Sequence, residues 1–149
     1  KDLGADVVVD YKQTDFEEVL SGYDVVLNSQ DSTALGKSFN VLKAGGQVIS
    51  ISGPPDAGFA EAQQLAWPFK QLMRVLSFSA RRKAKSRSAQ YSFLFMKASG
   101  EQLQQIAALV ESGVIRPLVD KVFPFASTNE ALAYVESGRA KGKVVIKLR

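Results

Sequence analysis

Three short apolar runs rich in β-branched residues recur in the first third of the chain, separated by segments of helical character, and this alternation constrains the fold most. The runs are Val7-Val8-Val9, Tyr23 to Asn28 and Gln47 to Ser52. Continuous runs of this kind read as strands buried on both faces, as in parallel sheets. Between the first two, Thr14 or Asp15 can cap a helix over Phe16 to Leu20, with Glu17 and Glu18 in the first turn where the helix dipole favours them. Between the second and third, Ser32 or Thr33 begins a helix carrying Leu35, Phe39, Val41 and Leu42, and Gly45-Gly46 stops it. Lys1 to Ala5 reads as the last turn of an earlier helix, closed by Gly4. Strands alternating with helices at this spacing imply right-handed crossovers and predict a parallel α/β sheet.

Beyond the third run, Gly53-Pro54-Pro55 breaks the strand, and residues 57–80 read as a long helical region interrupted near Pro68. Its apolar residues Leu65, Trp67, Phe69, Leu72, Met73, Val75 and Leu76 are dense enough to predict burial. A basic stretch, Ala80 to Ser88, leads into a fourth strand over Tyr91 to Met96. Glu101 to Ser112 predicts an amphipathic helix with Leu103, Ile106, Ala107 and Val110 on one face and Gly113 as its stop. Val119 to Phe125 reads as extended. Ser127 or Thr128 then caps a helix, Glu130 completing a capping box if Ser127 is the cap, and Gly138 ends it. Lys143 to Leu148 forms a last strand.

The chain has no cysteine and no histidine. It therefore supplies no disulfide, thiolate nucleophile, Cys/His zinc site or Ser-His-Asp triad of its own. The 149 residues are 46% hydrophobic and 23% charged, which fits an ordinary soluble domain. No apolar run reaches the roughly 18 residues a membrane span needs, and residues 1–6 lack the apolar stretch of a secretory signal. The expected location is the cytoplasm or an organelle matrix, with the cytoplasm taken as the compartment. The net charge of +4 is concentrated, because six of the nineteen Lys and Arg residues fall between Arg74 and Arg87.

Several segments in order then resemble the medium-chain dehydrogenase/reductase superfamily, specifically its zinc-independent quinone oxidoreductase branch. They are Leu3-Gly4-Ala5-Asp6, Asp10-Tyr11, Tyr23-Asp24-Val25-Val26-Leu27-Asn28 and Leu42-Lys43-Ala44-Gly45-Gly46. To these are added Gly113-Val114-Ile115-Arg116-Pro117, Asn129-Glu130-Ala131-Leu132 and Ser137-Gly138-Arg139-Ala140-Lys141-Gly142-Lys143-Val144-Val145. The resemblance covers nearly the whole chain. It implies a partial Rossmann-type doubly wound sheet over residues 1–120, and over 121–149 a helix and strand returning to a GroES-like catalytic domain. The implied chemistry is hydride transfer from NADPH to a quinone, an enone or another activated carbonyl, without metal; the cofactor carries the reacting hydride, so the protein mainly positions it. No catalytic acid or base is assigned to this chain.

The resemblance also implies cofactor contacts, each with a plainer reading beside it. Tyr11 would lie near the adenosine phosphate, or be a surface tyrosine at a strand end. Asn28 and Ser29 would sit at the strand edge where α/β sheets bind ligands, or simply cap it. Ser52 and Gly53 would let the cofactor approach the backbone, or form an ordinary turn. The segment Phe93, Leu94 and Phe95 would offer backbone groups to the nicotinamide carboxamide, with side chains in the core or a subunit interface. Lys141, Gly142 and Lys143 would reach the cofactor from the other domain, or form a solvated cluster.

The family's glycine-rich turn, which cradles the pyrophosphate at a helix N-terminus, is not among these residues. The choice of NADPH over NADH therefore comes from the branch resembled. With the strand order 3-2-1-4-5-6, the chain would lack the two central strands, leave Val7 to Asp10 without a neighbour, and expose the edge of the strand ending at Asn28. The remainder of the enzyme is therefore an expected partner, the fragment alone is expected to be inactive, and a homodimer through the strand at Phe93 to Met96 is expected. Two other roles compete: a non-catalytic NADPH sensor, and a protein binding RNA or another polyanion through Arg81, Arg82, Lys83, Lys85 and Arg87 beside Tyr91 and Phe93.

Overall fold

The computed structural model describes residues 4–148, and the helical turn expected over residues 1–3 lies outside them. Two compact units follow one another, residues 1–97 and 98–149. The expected division at residue 120 refers to a catalytic domain outside this chain and remains a proposal.

The first unit is built on a three-stranded parallel sheet. Strand β1 (Tyr23–Asn28) pairs with β2 (Leu42–Ser50), and β2 pairs with β3 (Gln90–Phe93), in the order β1-β2-β3. Helix α1 (Phe16–Val19) precedes β1, and α2 (Ser32–Ser38) makes the crossover to β2. Asp31, not Ser32, caps α2, its side chain accepting from the Ala34 amide at 2.8 Å. The alternation read from the sequence is realised from Tyr23 onward, and all described strand pairs are parallel. Gly45-Gly46 does not end α2. That helix is finished by Ser38, and the two glycines lie inside β2, where the β1–β2 register shifts between Tyr23 and Val25. Gly45, at φ +85°, provides backbone that residues with a Cβ rarely adopt.

The expected strand at Val7-Val8-Val9 does not form. Residues 7–10 make no ladder, and Val7 and Val8 are exposed. A parallel strand is stable only with a hydrogen-bonded neighbour, and none is present for it among the described residues.

The core of this unit lies on one face of the sheet, where Leu35 of α2 and Phe39 at its C-cap, Val48 from β2, and Ala80 and Ala84 meet Val26, Leu42 and Tyr91. Phe39 is 1% exposed, with its ring 6.3 Å from that of Tyr91. On the opposite face Val25, Leu27 and Ile51 are exposed.

Three helices connect β2 to β3: α3 (Ala57–Ala62), α4 (Trp67–Leu76) and α5 (Phe78–Ser86). Pro68 sits in the first turn of α4, where its missing N–H costs nothing. The predicted burial here is largely overturned, with only Leu65 and Met73 half-buried. Trp67 is 70% exposed and Val75 71%, with Phe69, Leu72 and Leu76 also exposed, while the polar Lys70 and Gln71 are half-buried. Apolar density marks a face that can be covered, and no described element of this unit covers it. The basic stretch forms the body of α5, anchored by buried Ala80 and Ala84. The fourth strand stops at Phe93, leaving residues 94–96 without strand pairing.

In the second unit, α6 (Gly100–Glu111) is capped by Ser99, whose hydroxyl accepts from the Gln102 amide. Strands β4 (Val119–Pro124) and β5 (Lys143–Lys147) form a separate parallel pair, connected through a 3-10 turn (Phe125–Ser127) and α7 (Thr128–Glu136). The capping box expected at Ser127 and Glu130 is absent. Ser127 makes no side-chain cap, and the Thr128 hydroxyl donates instead to the Phe125 carbonyl. Leu103 and Ile106 of α6 are exposed.

Truncating Phe39 to Ala would empty the center of the first unit's core. Denaturant unfolding should report a loss of about 3–5 kcal/mol, and an exposed Val7→Ala change, used as control, should cost under about 0.5 kcal/mol.

Candidate functional site along the C-terminal rim of the sheet

Parallel strands deliver their C-terminal ends to the same edge, and α/β sheets bind ligands there. In the first unit Asn28, Ser50 and Phe93 occupy one register row, Asn28 opposite Ser50 and Ser50 opposite Phe93. Five of the predicted contact positions therefore belong to the ends or exits of the two strands flanking β2: Asn28 and Ser29 at β1, and Phe93, Leu94 and Phe95 at β3. Ser52 and Gly53 follow immediately after β2.

The row is polar inside. Asn28 is 4% exposed and Ser50 is fully buried. The Ser50 hydroxyl donates to Asn28 Oδ1 at 2.9 Å and accepts the Gly53 amide at 2.8 Å. The Ser52 hydroxyl lies 3.3 Å from the same Oδ1 and also against the Gln30 carbonyl. Its one proton serves only one of them. The Leu94 amide donates to the Ser50 carbonyl at 2.9 Å. Ser29 is exposed. Phe93 and Phe95 gather on Phe59 of α3, with ring centroids 5.3 and 5.7 Å away. Phe93 is half-buried, and Leu94 and Phe95 are exposed.

Sequence reasoning missed two members of this rim. Ser50 was read only as part of a strand, and Tyr91 only as a strand and stacking residue. The Tyr91 hydroxyl donates to the Pro54 carbonyl at 2.7 Å, closing the turn after β2. Burial, helped by the Asp56 carboxylate, pushes its phenol up to about 12. Gly53 has a reason within the chain to lack a side chain, since a Cβ there would meet Tyr91 Oη at 2.7 Å and Ser50 Oγ at 2.8 Å. The only available signal was the alternation of the strand, which puts Val48 and Ser50 on one inward face.

Tyr11 stands apart from the rim's hydrogen bonds. It is exposed in a turn, with the Lys12 ammonium 6.0 Å from its ring centroid.

Lys141, Gly142 and Lys143 belong to the second unit. Asp120 accepts both the Tyr134 hydroxyl at 2.8 Å and the Lys141 amide at 3.1 Å, and these bonds hold its carboxyl below the usual range. The Lys143 amide donates to the Leu118 carbonyl, and a Cβ on Gly142 would fall 2.6 Å from that same oxygen. Only glycine fits this turn, and the two lysine side chains are left exposed on either side of it.

A family model described as zinc-binding dehydrogenase matches residues 3–146. The chain belongs to that family. It is 30% identical over 152 residues to a 2-methylene-furan-3-one reductase of Solanum lycopersicum, covering 98% of this chain and 29% of the relative. A mitochondrial NAD(P)H oxidoreductase of Mus musculus is also 30% identical, with 98% of this chain and 38% of the relative covered. An NADPH-dependent alkenal/one oxidoreductase of Arabidopsis thaliana, chloroplastic, is 27% identical over 98% of this chain and 30% of its own length. Among solved structures, the quinone oxidoreductase from Coxiella burnetii superposes with a TM-score of 0.75 at 20% identity, over 99% of this chain and 40% of that one. The chain thus spans between about a quarter and two-fifths of the proteins it matches. The fold expectation, a partial sheet of this superfamily, holds.

Two points need adjustment. The family's name carries zinc, but this zinc-binding dehydrogenase chain has neither histidine nor cysteine, and the described residues hold no group of three or more metal-ligating side chains. Its donor set does not fit a zinc centre. The cytoplasmic expectation is overturned: relatives from mouse, zebrafish, cow and human are named mitochondrial, and the Arabidopsis relative chloroplastic. The lack of a leader-like stretch in residues 1–6 carried no information about compartment.

The raised Tyr91 pKa makes a signed prediction. A folded-state pKa above the unfolded value favours the fold fully below the ordinary tyrosine range, and that contribution is lost as pH rises through about 12. Ultraviolet titration should show one phenolate appearing near 12 that is missing in Tyr91→Phe, and a Tyr91 midpoint at the ordinary tyrosine value would contradict the burial described.

Proposed function

We propose that this chain is part of an NADPH-dependent oxidoreductase that transfers a hydride to a quinone, an enone or another activated carbonyl. The observation that carries the reading is the convergence of Asn28, Ser52–Gly53 and Phe93–Phe95 on one rim of a parallel sheet, in a chain whose relatives are named as NAD(P)H oxidoreductases acting on such compounds. A related structure, the 2-octenoyl-CoA carboxylase reductase CinF, was solved with NADP and 2-octenoyl-CoA; it is 22% identical with a TM-score of 0.56, over 83% of this chain and 23% of that one.

The rim suits the nicotinamide end of such a cofactor. Asn28 would supply a side-chain donor, Ser29 and Ser52 exposed hydroxyls, and Phe93 to Phe95 backbone groups beside aromatic surface. When bound, the cofactor supplies the hydride, and this chain's residues orient it and exclude water. Lys141, Gly142 and Lys143 of the second unit are proposed as a separate cofactor contact in the intact protein, and Tyr11 would lie near the adenosine end. The pyrophosphate cradle is not among these residues, so in this proposal the competent unit is an intact protein that carries a further N-terminal region. A homodimer is part of the same proposal, supported by β3 being an edge strand among the described residues.

The sensor and polyanion readings gain no specific observation. The basic residues of α5 are partly engaged within the unit, Arg81 donating to the Ser77 hydroxyl and to the Arg74 carbonyl.

The test is NADPH oxidation by the intact protein against a panel of quinones and enones. Turnover is expected with at least one of them, and tight NADPH binding without turnover on any would favour the sensor. Replacing Lys141 and Lys143 together by Ala should raise KM for NADPH roughly tenfold, the scale of one lost charge-assisted hydrogen bond, with kcat little changed. An unaltered KM would remove the pair from the cofactor site.

A further inference from the structure

We propose that Ser50, which touches no ligand itself, is the positioning residue that fixes all three strand ends of the rim and turns the Asn28 amide donors toward the ligand side. The inference rests on the functional reading above and deepens it. Ser50 is fully buried and reaches each rim segment separately: its hydroxyl holds Asn28 at the end of β1, the same hydroxyl holds the Gly53 amide after β2, and its carbonyl holds the Leu94 amide after β3.

The bonding also sets the sense of the Asn28 side chain. Ser50 Oγ already accepts from Gly53, so its own proton needs an acceptor, and a buried donor without one costs free energy. In this arrangement the Ser50 proton goes to the Asn28 oxygen although the Tyr91 hydroxyl also lies beside Ser50, and the inward oxygen sends Nδ2 the other way. Nδ2 has no partner among the described residues and is not sealed from solvent. Its two N–H donors match a carbonyl or amide oxygen, the chemistry of a nicotinamide carboxamide. Were Ser50 to lose its hydroxyl, the inward oxygen would lose its main donor and the amide would be free to reverse, offering an acceptor where a donor is needed. The Gly53 amide would simultaneously be orphaned, loosening a turn otherwise held by Tyr91 at Pro54.

Two measurements test this. In the cofactor-free protein, amide hydrogen exchange should accelerate at Gly53 roughly tenfold in Ser50→Ala, the scale of one hydrogen bond, and the Asn28 side-chain NH2 resonances should shift. In the intact enzyme, Ser50→Ala and Asn28→Ala should each weaken NADPH binding roughly tenfold, and the double variant should be no weaker than Asn28→Ala alone, because one residue acts through the other. If Ser50→Ala does not fold, Ser50→Cys keeps the volume with a weaker hydrogen-bonding group and takes its place in both measurements. Unchanged Gly53 exchange, or additive losses in the double variant, would overturn the assignment. If the unsubstituted enzyme binds no NADPH at all, the functional reading fails, while the exchange measurement still decides whether Ser50 holds the rim.

Discussion

Everything placed at the rim depends on β2 being hydrogen-bonded in parallel on both sides. A central parallel strand fixes the height of its neighbours' ends as well as their distance, and here it brings Asn28 and Phe93 level with Ser50. The strand can be central because its inward positions, Val48 and Ser50, are small enough for α2 and α5 to close over them, with Phe39 filling the remaining space. Packing beneath the sheet and order along its edge are thus one constraint.

Much of the architecture was legible in the sequence because it follows from local patterns. The run from Tyr23 to Asn28 and the glycine after α6 name their own elements, and the order of segments from Leu3 to Val145 carried the family. What failed was whatever depends on partners. Val7-Val8-Val9 has strand composition but no strand to pair with, and composition alone cannot supply one. Residues 67–76 have the amphipathic pattern of a covered helix, yet the pattern says that a face can be covered and not by what. The helix ending at Ser38, seven residues before the glycines expected to stop it, shows a register irregularity in β2 taking over residues that looked like a helix terminus.

The candidate site was partly legible for a similar reason. Asn28 and Ser52 could be placed at strand ends from the spacing, while their assignment as cofactor contacts, with Gly53 and Phe93, came from the family resemblance. Ser50 and Tyr91 could not be, because their roles come from what lies across the sheet: Asn28 is 22 residues from Ser50, and Pro54 is 37 residues from Tyr91. Gly53 shows how two readings of one residue can both stand. Its lack of a side chain is already required by Tyr91 and Ser50, whatever approaches from outside.

The row beneath the rim is made of hydroxyls and a carboxamide, in a chain without histidine. None of these groups changes charge near neutrality, and Tyr91 is pushed still further away. This wall of the cleft is therefore electrically constant across the conditions of mitochondria, chloroplasts and cytosol alike. In the proposed enzyme, any dependence of turnover on acidity would originate in the substrate, or in groups other than this row.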